Sequence, residues 1–198
     1  MAEDPGKAEV GEVVEAIHDG EYVIPHFQRG YEWQPSMVSD LFVSIVQDYF
    51  AGLLLFWELG PERVDTEVWD SVWGAPPASS PSRAVLDGQQ RLASLYYAIQ
   101  NPQKKFPNRK TYYTWYLDLE RCLEEEYEQA VDYRYSFNYH PTKEFKDNRQ
   151  EWVEKGVLPL TLLSDPDFLR SGLVDFISQF VGMREQQKTD AGSWGETF

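Results

Sequence analysis

The chain holds a single cysteine, Cys122, so no internal disulfide can form. That usage fits a reducing compartment, and a cytoplasmic location is expected. Long apolar runs are missing too. The longest, LLLFW at Leu53–Trp57, falls far short of the roughly 20 residues that a membrane span needs. The opening MAEDPGKAEV is acidic and polar, unlike a signal peptide, so no membrane partner is expected. Basic residues are scarce, 18 against 33 acidic ones, for a net charge of −15. This excludes a broad, sequence-independent coating of DNA, which needs a basic face. It leaves room for a local basic site. Lys104, Lys105, Arg109 and Lys110, in NPQKKFPNRK, make one such cluster, which reads first as a solvated loop. His18, His26 and His140 lack metal-ligand spacing, and with one cysteine no zinc site is expected. P-loop, GxGxxG, GxSxG and His–Asn–His nuclease patterns are all absent. Any nucleotide chemistry here lies outside those common signatures.

Apolar and aromatic content is ample. Hydrophobic residues make up 42% and aromatics 15%, with 7 Trp, 12 Tyr and 11 Phe among 198 residues. That composition and length suit a globular chain with a proper core. Val10, Val13, Val14 and Ile17 predict a helix over 9–18, ended near Gly20. YVIP at Tyr22–Pro25 predicts a short strand. Val38, Leu41, Phe42, Ile45, Val46 and Tyr49 predict a helix over 36–50, with Gly52 placed to end it. Residues 53–59 predict a buried strand. Residues 60–82 hold four of the twelve prolines and read as a long exposed loop between strands. RAVLD at 83–87 predicts the next strand, and 88–100 a helix with Leu92, Leu95, Tyr96 and Ile99 inward. Residues 111–119 and 133–139 predict strands, and ERCLEEEYEQA an acidic surface helix. A charged segment, PTKEFKDNRQEWVEKG, and an amphipathic stretch around Phe168–Val181 follow. The alternation of helices and strands predicts an α/β or α+β domain with a small mixed sheet.

Two segments concentrate chemistry. In DGQQR, Asp87 follows a strand and precedes a helix. Asp is a good N-cap, and Gln90 falls where a capping box places its partner. A cap explains those two residues. It does not explain Gln89, nor Arg91, whose charge opposes the positive end of the helix dipole. A phosphate site would use all five. Gly88 lets backbone N–H groups approach an anion, Asp87 could hold Mg²⁺ or a water, and Arg91 could neutralise phosphate. Gln89 or Gln90 could position a nucleophilic water. In IPHFQRGYEWQP (Ile24–Pro35), Gln28 and Arg29 follow another strand, flanked by Phe27, Tyr31 and Trp33. An arginine among aromatics can grip phosphate or stack on a base. Tyr31 and Trp33 read equally as core anchors. Two such loops could converge at one edge of a sheet, where ligand sites are favoured.

IPHFQRGYEWQPSMVSDLFVSI, then GLLLFWEL, then AVLDGQQRLASLYYAI resembles the N-terminal domain of GmrSD-type defence proteins. These are modification-dependent (type IV) restriction enzymes, and phosphorothioate-sensing antiphage proteins share the domain. The ordered set of segments covers about residues 24–99 of this sequence.

The resemblance implies a ParB/sulfiredoxin-like small mixed sheet with surrounding helices. It implies that Asp87, Gln89, Gln90 and Arg91 carry nucleotide hydrolysis, with Mg²⁺ as cofactor at Asp87. Gln28, Arg29, Gly88 and Arg91 would bind the nucleotide phosphates. Gln28, Arg29 and Tyr31 would sense DNA modification. The implied partners are a nucleoside triphosphate, modified or phage DNA, a C-terminal nuclease domain or partner subunit, and a second copy of the chain. Turnover would control the nuclease. The alternative is a non-catalytic module that recognises modified DNA, such as phosphorothioate DNA. The expected organisation is a DGQQR-motif domain over 1–185, then a tail or the start of a linker over 186–198. Neither the nuclease domain of full-length members nor their later FxxxN…G segment is evident.

Overall fold

A computed structural model describes residues 8–60, 68–138 and 149–193. Residues 1–7, part of the 60–82 loop, His140, part of the charged segment and the last five residues lie outside the described residues.

The first layer opens with helix α1 (Val10–His18), which buries Val13, Val14 and Ile17, three residues of the apolar pattern. Strand β1 (Tyr22–Pro25) follows and is buried along its whole length. Helix α2 (Pro35–Val46) starts with proline in its first turn, where the missing N–H costs nothing. It ends earlier than its apolar stripe predicts, because Asp48 takes the left-handed conformation (φ 52°). Tyr49, read as part of the inward stripe, is therefore exposed beyond the helix.

Strands β2 (Leu55–Glu58), β3 (Trp69–Ser71) and β4 (Arg83–Asp87) join β1 in a mixed sheet of order β2-β4-β1-β3. β1 and β4 run parallel in the centre, and the two outer strands pair antiparallel. Two expectations change here. The 53–59 run is not buried: β2 is an edge strand, with Leu55 and Trp57 exposed, because only one neighbour and one face cover it. The 60–82 stretch is not simply an exposed loop: it contributes β3 and buries Val72 and Ala75. Short strand segments between prolines carry too little periodicity to be seen in sequence.

Helix α3 (Gln89–Gln100) is covered by α1 and α2 and by the 3-10 turn Leu160–Ser164. Its residues from Leu92 to Ile99 are all buried, not only the predicted stripe. Strand β5 (Tyr112–Asp118) centres a second, antiparallel sheet, flanked by β6 (Val131–Ser136) and β7 (Val157–Pro159). The acidic segment between β5 and β6 is not one helix. It forms a short helix α4 (Leu119–Leu123), capped by Asp118, and a 3-10 turn at Tyr127–Gln129. Glu125, at φ 60°, separates them.

Helix α5 (Arg149–Lys155), a π turn at Phe168–Gly172 and helix α6 (Leu173–Ser193) complete the described chain. The main core joins both sheets, and an aromatic cluster of Tyr31, Trp73, Tyr97, Phe106 and Trp115 lies within it. A smaller core, with Val153, Phe176 and Phe180, lies under α6. The fold is mixed α/β, as the alternation of elements predicts. No helix among the described residues is long and apolar enough to cross a membrane.

Candidate functional site at the start of α3

The loop after β1 and the start of α3 meet side by side. Gln28 donates from Nε2 to the Val85 carbonyl of β4. Gln89 donates from Nε2 to the Arg29 carbonyl at 2.8 Å. Gln90 donates to the Gly30 carbonyl at 3.0 Å and accepts from the Glu32 and Trp33 amides at 2.8 and 3.2 Å. Tyr31 closes the row with a 2.8 Å bond between its hydroxyl and Ser94 Oγ. The loop 28–33 is thus laid along the first two turns of α3. Backbone groups withdrawn from water need partners, and one glutamine side chain serves three partly buried ones here.

This geometry replaces the expected cap. The N-cap of α3 is Gly88, in the left-handed conformation at φ 99°, and no side chain caps the helix. Asp87 therefore does not accept from the first turn, and Gln90 turns away to hold the neighbouring loop. A Cβ at Gly88 would strike the Leu54 side chain and approach Arg91 Nη2 to 3.3 Å, so glycine fits both conformation and space. The first-turn N–H groups of α3 keep their usual lack of intrahelical partners.

Arg91 answers the dipole problem by pointing away from the first turn. Its Nη1 donates to the Ala51 carbonyl at 3.3 Å. Its Nη2 donates to the Leu53 carbonyl and lies 3.3 Å from Asp87 Oδ2. The side chain is only 19% exposed. Gly52, at φ 101°, sits between those two carbonyls, and a Cβ there would fall within the guanidinium. Gly52 does not end α2 as expected; it gives Arg91 its space.

Two charged groups remain open to solvent. The Asp87 side chain is 72% exposed. The Arg29 side chain is 73% exposed and, among the described residues, pairs only with Glu32, at 3.1 Å. An exposed ion pair of this kind contributes little, so Arg29 can exchange Glu32 for another anion. Gln89 Oε1 has no partner among the described residues. Tyr31 is different: it is 8% exposed, and burial pushes its hydroxyl pKa up to about 12 against the opposing effect of Ser94. It anchors the loop through Ser94. Ser94 was not singled out by sequence, and Gly52 was marked only as the expected end of α2. Ser94, a lone hydroxyl amid the apolar residues of α3, was the available signal; nothing near Gly52 in sequence tied it to Arg91.

A family model described as GmrSD restriction endonuclease, N-terminal domain, matches residues 10–173. The chain belongs to this family. An uncharacterized protein of Methanocaldococcus jannaschii is 30% identical over 167 residues, 78% of this chain and 28% of that relative. The chain therefore spans well under half of that relative's length. In this GmrSD N-terminal domain the QR and DGQQR segments are joined by hydrogen bonds, and the domain is of restriction-system type.

Proposed function

We propose that the chain is a nucleotide-binding and hydrolysing regulatory domain of a modification-dependent antiphage restriction protein, acting on a nuclease domain or subunit outside this chain. The observation that carries the reading is the uncapped N-terminus of α3, bordered by the exposed Arg29 and Asp87. Helix N-termini favour phosphate through free N–H groups and the dipole. Family membership supports the same reading.

The residues divide by what their donors already do. Arg29 and the amides after Gly88 bind the phosphates. Gln89, held through Nε2, offers Oε1 to an attacking water. Gln28, Gln90 and Arg91 are positioning residues, because backbone groups already occupy their donors. Among the described residues no cluster of three or more His, Cys, Asp or Glu could hold a resident metal. The single exposed Asp87 carboxylate fits a Mg²⁺ that arrives with a triphosphate, since Mg²⁺ needs only one or two carboxylates beside phosphate oxygens. When bound there, Mg²⁺ would neutralise phosphate charge.

Phosphate release from each nucleoside triphosphate, with Mg²⁺, tests the reading. Asp87→Ala and Gln89→Ala should each lower the rate by about a hundredfold. Equal, non-zero rates in wild type and variants would remove these residues from catalysis.

A second reading is a non-catalytic module for modified DNA. It is favoured by Phe27, an exposed aromatic two residues from Arg29. Binding of phosphorothioate and unmodified duplexes separates the two. Discrimination that is lost in Arg29→Ala, with no phosphate release from any nucleotide, would establish the second reading.

A further inference from the structure

The four cations of the α3–β5 connection are set apart from other described cations. Arg83 is engaged with Glu58, Arg121 with Glu126, Lys155 with Glu151, and Arg134 over the Tyr116 ring. Lys104, Lys105 and Lys110 are exposed, and their side chains have no ion-pair or hydrogen-bond partner among the described residues. The Arg109 side chain donates only to the neutral Gln34 among the described residues. Carboxylates are not scarce in a chain with 33 acidic residues, yet among the described residues none forms an ion pair with this turn. Four like charges within seven residues repel one another, and no ion pair among the described residues offsets that.

The turn that carries them is held firmly. Phe106, between the two pairs of cations, is 2% exposed and packs on Tyr31, Tyr97 and Trp115 with ring centroids 5.5, 5.4 and 5.8 Å away. Its amide donates to the Thr111 carbonyl at 3.0 Å, and the Tyr97 hydroxyl donates to the Lys104 carbonyl at 2.8 Å. The same contacts join this turn to the candidate site. Tyr31, from the loop that carries Arg29, meets Phe106, and Gln34, from the end of that loop, meets Arg109.

We infer that Lys104, Lys105, Arg109 and Lys110 form the contact for the phosphate backbone of duplex DNA. The inference rests on the reading of the chain as part of a DNA-directed restriction protein. The cations emerge on both sides of Phe106, so a single phosphate would not engage them all. A duplex presents one charge per about 1.7 Å of its axis, and such a row of charges can engage several cations carried on one turn. Backbone contacts of this kind set register and carry no sequence information. The net charge of −15 repels DNA from the rest of the surface, which confines the contact to this turn and the adjoining Arg29 loop.

The test is fluorescence anisotropy of a short, unmodified, labelled DNA duplex with the full chain, between about 50 and 200 mM salt. In the quadruple variant Lys104→Gln, Lys105→Gln, Arg109→Gln, Lys110→Gln, the slope of log affinity against log salt should fall by about 3 to 4, roughly 0.9 per lost phosphate contact. Affinity at the lowest salt should drop at least about tenfold. A companion variant with the three lysines changed to arginine should bind as wild type does, which separates charge from altered folding. Unchanged slope and affinity in the glutamine variant would overturn the inference. So would the absence of wild-type binding at the lowest salt, or tighter binding of an RNA duplex through the same residues. Phosphate release without DNA should be the same in the quadruple variant and wild type. Loss of nucleotide turnover in Asp87→Ala with duplex binding intact would leave this contact standing.

Discussion

The guanidinium of Arg91 occupies the space that a side chain on Gly52 would fill. The two residues lie in different elements, and their fit joins the start of α3 to the segment between α2 and β2. Gly52→Ala should therefore act on both. It would place a non-glycine residue at φ 101° and displace the donors that hold the Ala51 and Leu53 carbonyls. A loss of about 1–3 kcal/mol is expected, read as a lower midpoint in urea unfolding. An unchanged midpoint would show that the Arg91 side chain finds another seat.

Gln90 should be the most sensitive residue of the motif. Its amide meets two N–H donors and one carbonyl acceptor, and the residue is buried. Gln90→Glu keeps the shape but sets an anion against the Gly30 carbonyl. Gln90→Leu removes partners from three backbone groups. Each should destabilise by about 2–3 kcal/mol or more, and thermal denaturation measures it. Near wild-type stability in both would contradict the clamp.

Arg29 should show the opposite pattern. Arg29→Ala removes an exposed ion pair, so stability should stay within about 0.5 kcal/mol of wild type. Phosphate release should be lost. A variant that unfolds more easily and hydrolyses normally would assign Arg29 to the scaffold.

Alkaline pH should expose the buried tyrosines. An unfolded tyrosine loses its proton near 10.0, whereas burial pushes Tyr31 and Tyr96 up to about 12. Between those values the folded chain holds more protons than the unfolded chain. Stability from this source is complete below pH 10, declines as pH rises, and is lost as pH passes 12. Urea unfolding across that range should decline less steeply in a Tyr31→Phe, Tyr96→Phe variant. Parallel curves would mean that neither hydroxyl is protected.

Strong local periodicity made much of the fold legible. The apolar spacing of α1, the start of α2, the β formers of β5 and the boundary between β4 and α3 all follow from residues close in sequence. The edge position of β2 did not, because an apolar run looks the same whether one strand or two lie beside it. β3 and β7, three residues each, are too short to carry a pattern and exist through their pairings with β1 and β5.

The candidate site divides in the same way. Sequence alone marked Gln28, Arg29 and the DGQQR segment, because polar residues after short strands stand out against the apolar runs around them. It also marked the cation cluster at 104–110. Only tertiary structure decided how those side chains are used. Backbone N–H and C=O groups brought together from distant segments require partners, and they take the Gln28, Gln90 and Arg91 side chains as those partners. Arg29 and Asp87 remain open to solvent, and Gly88 takes the cap that Asp87 was expected to form. Sequence spacing could not forecast that division, since each choice depends on carbonyls and amides contributed by residues 38 to 60 positions away.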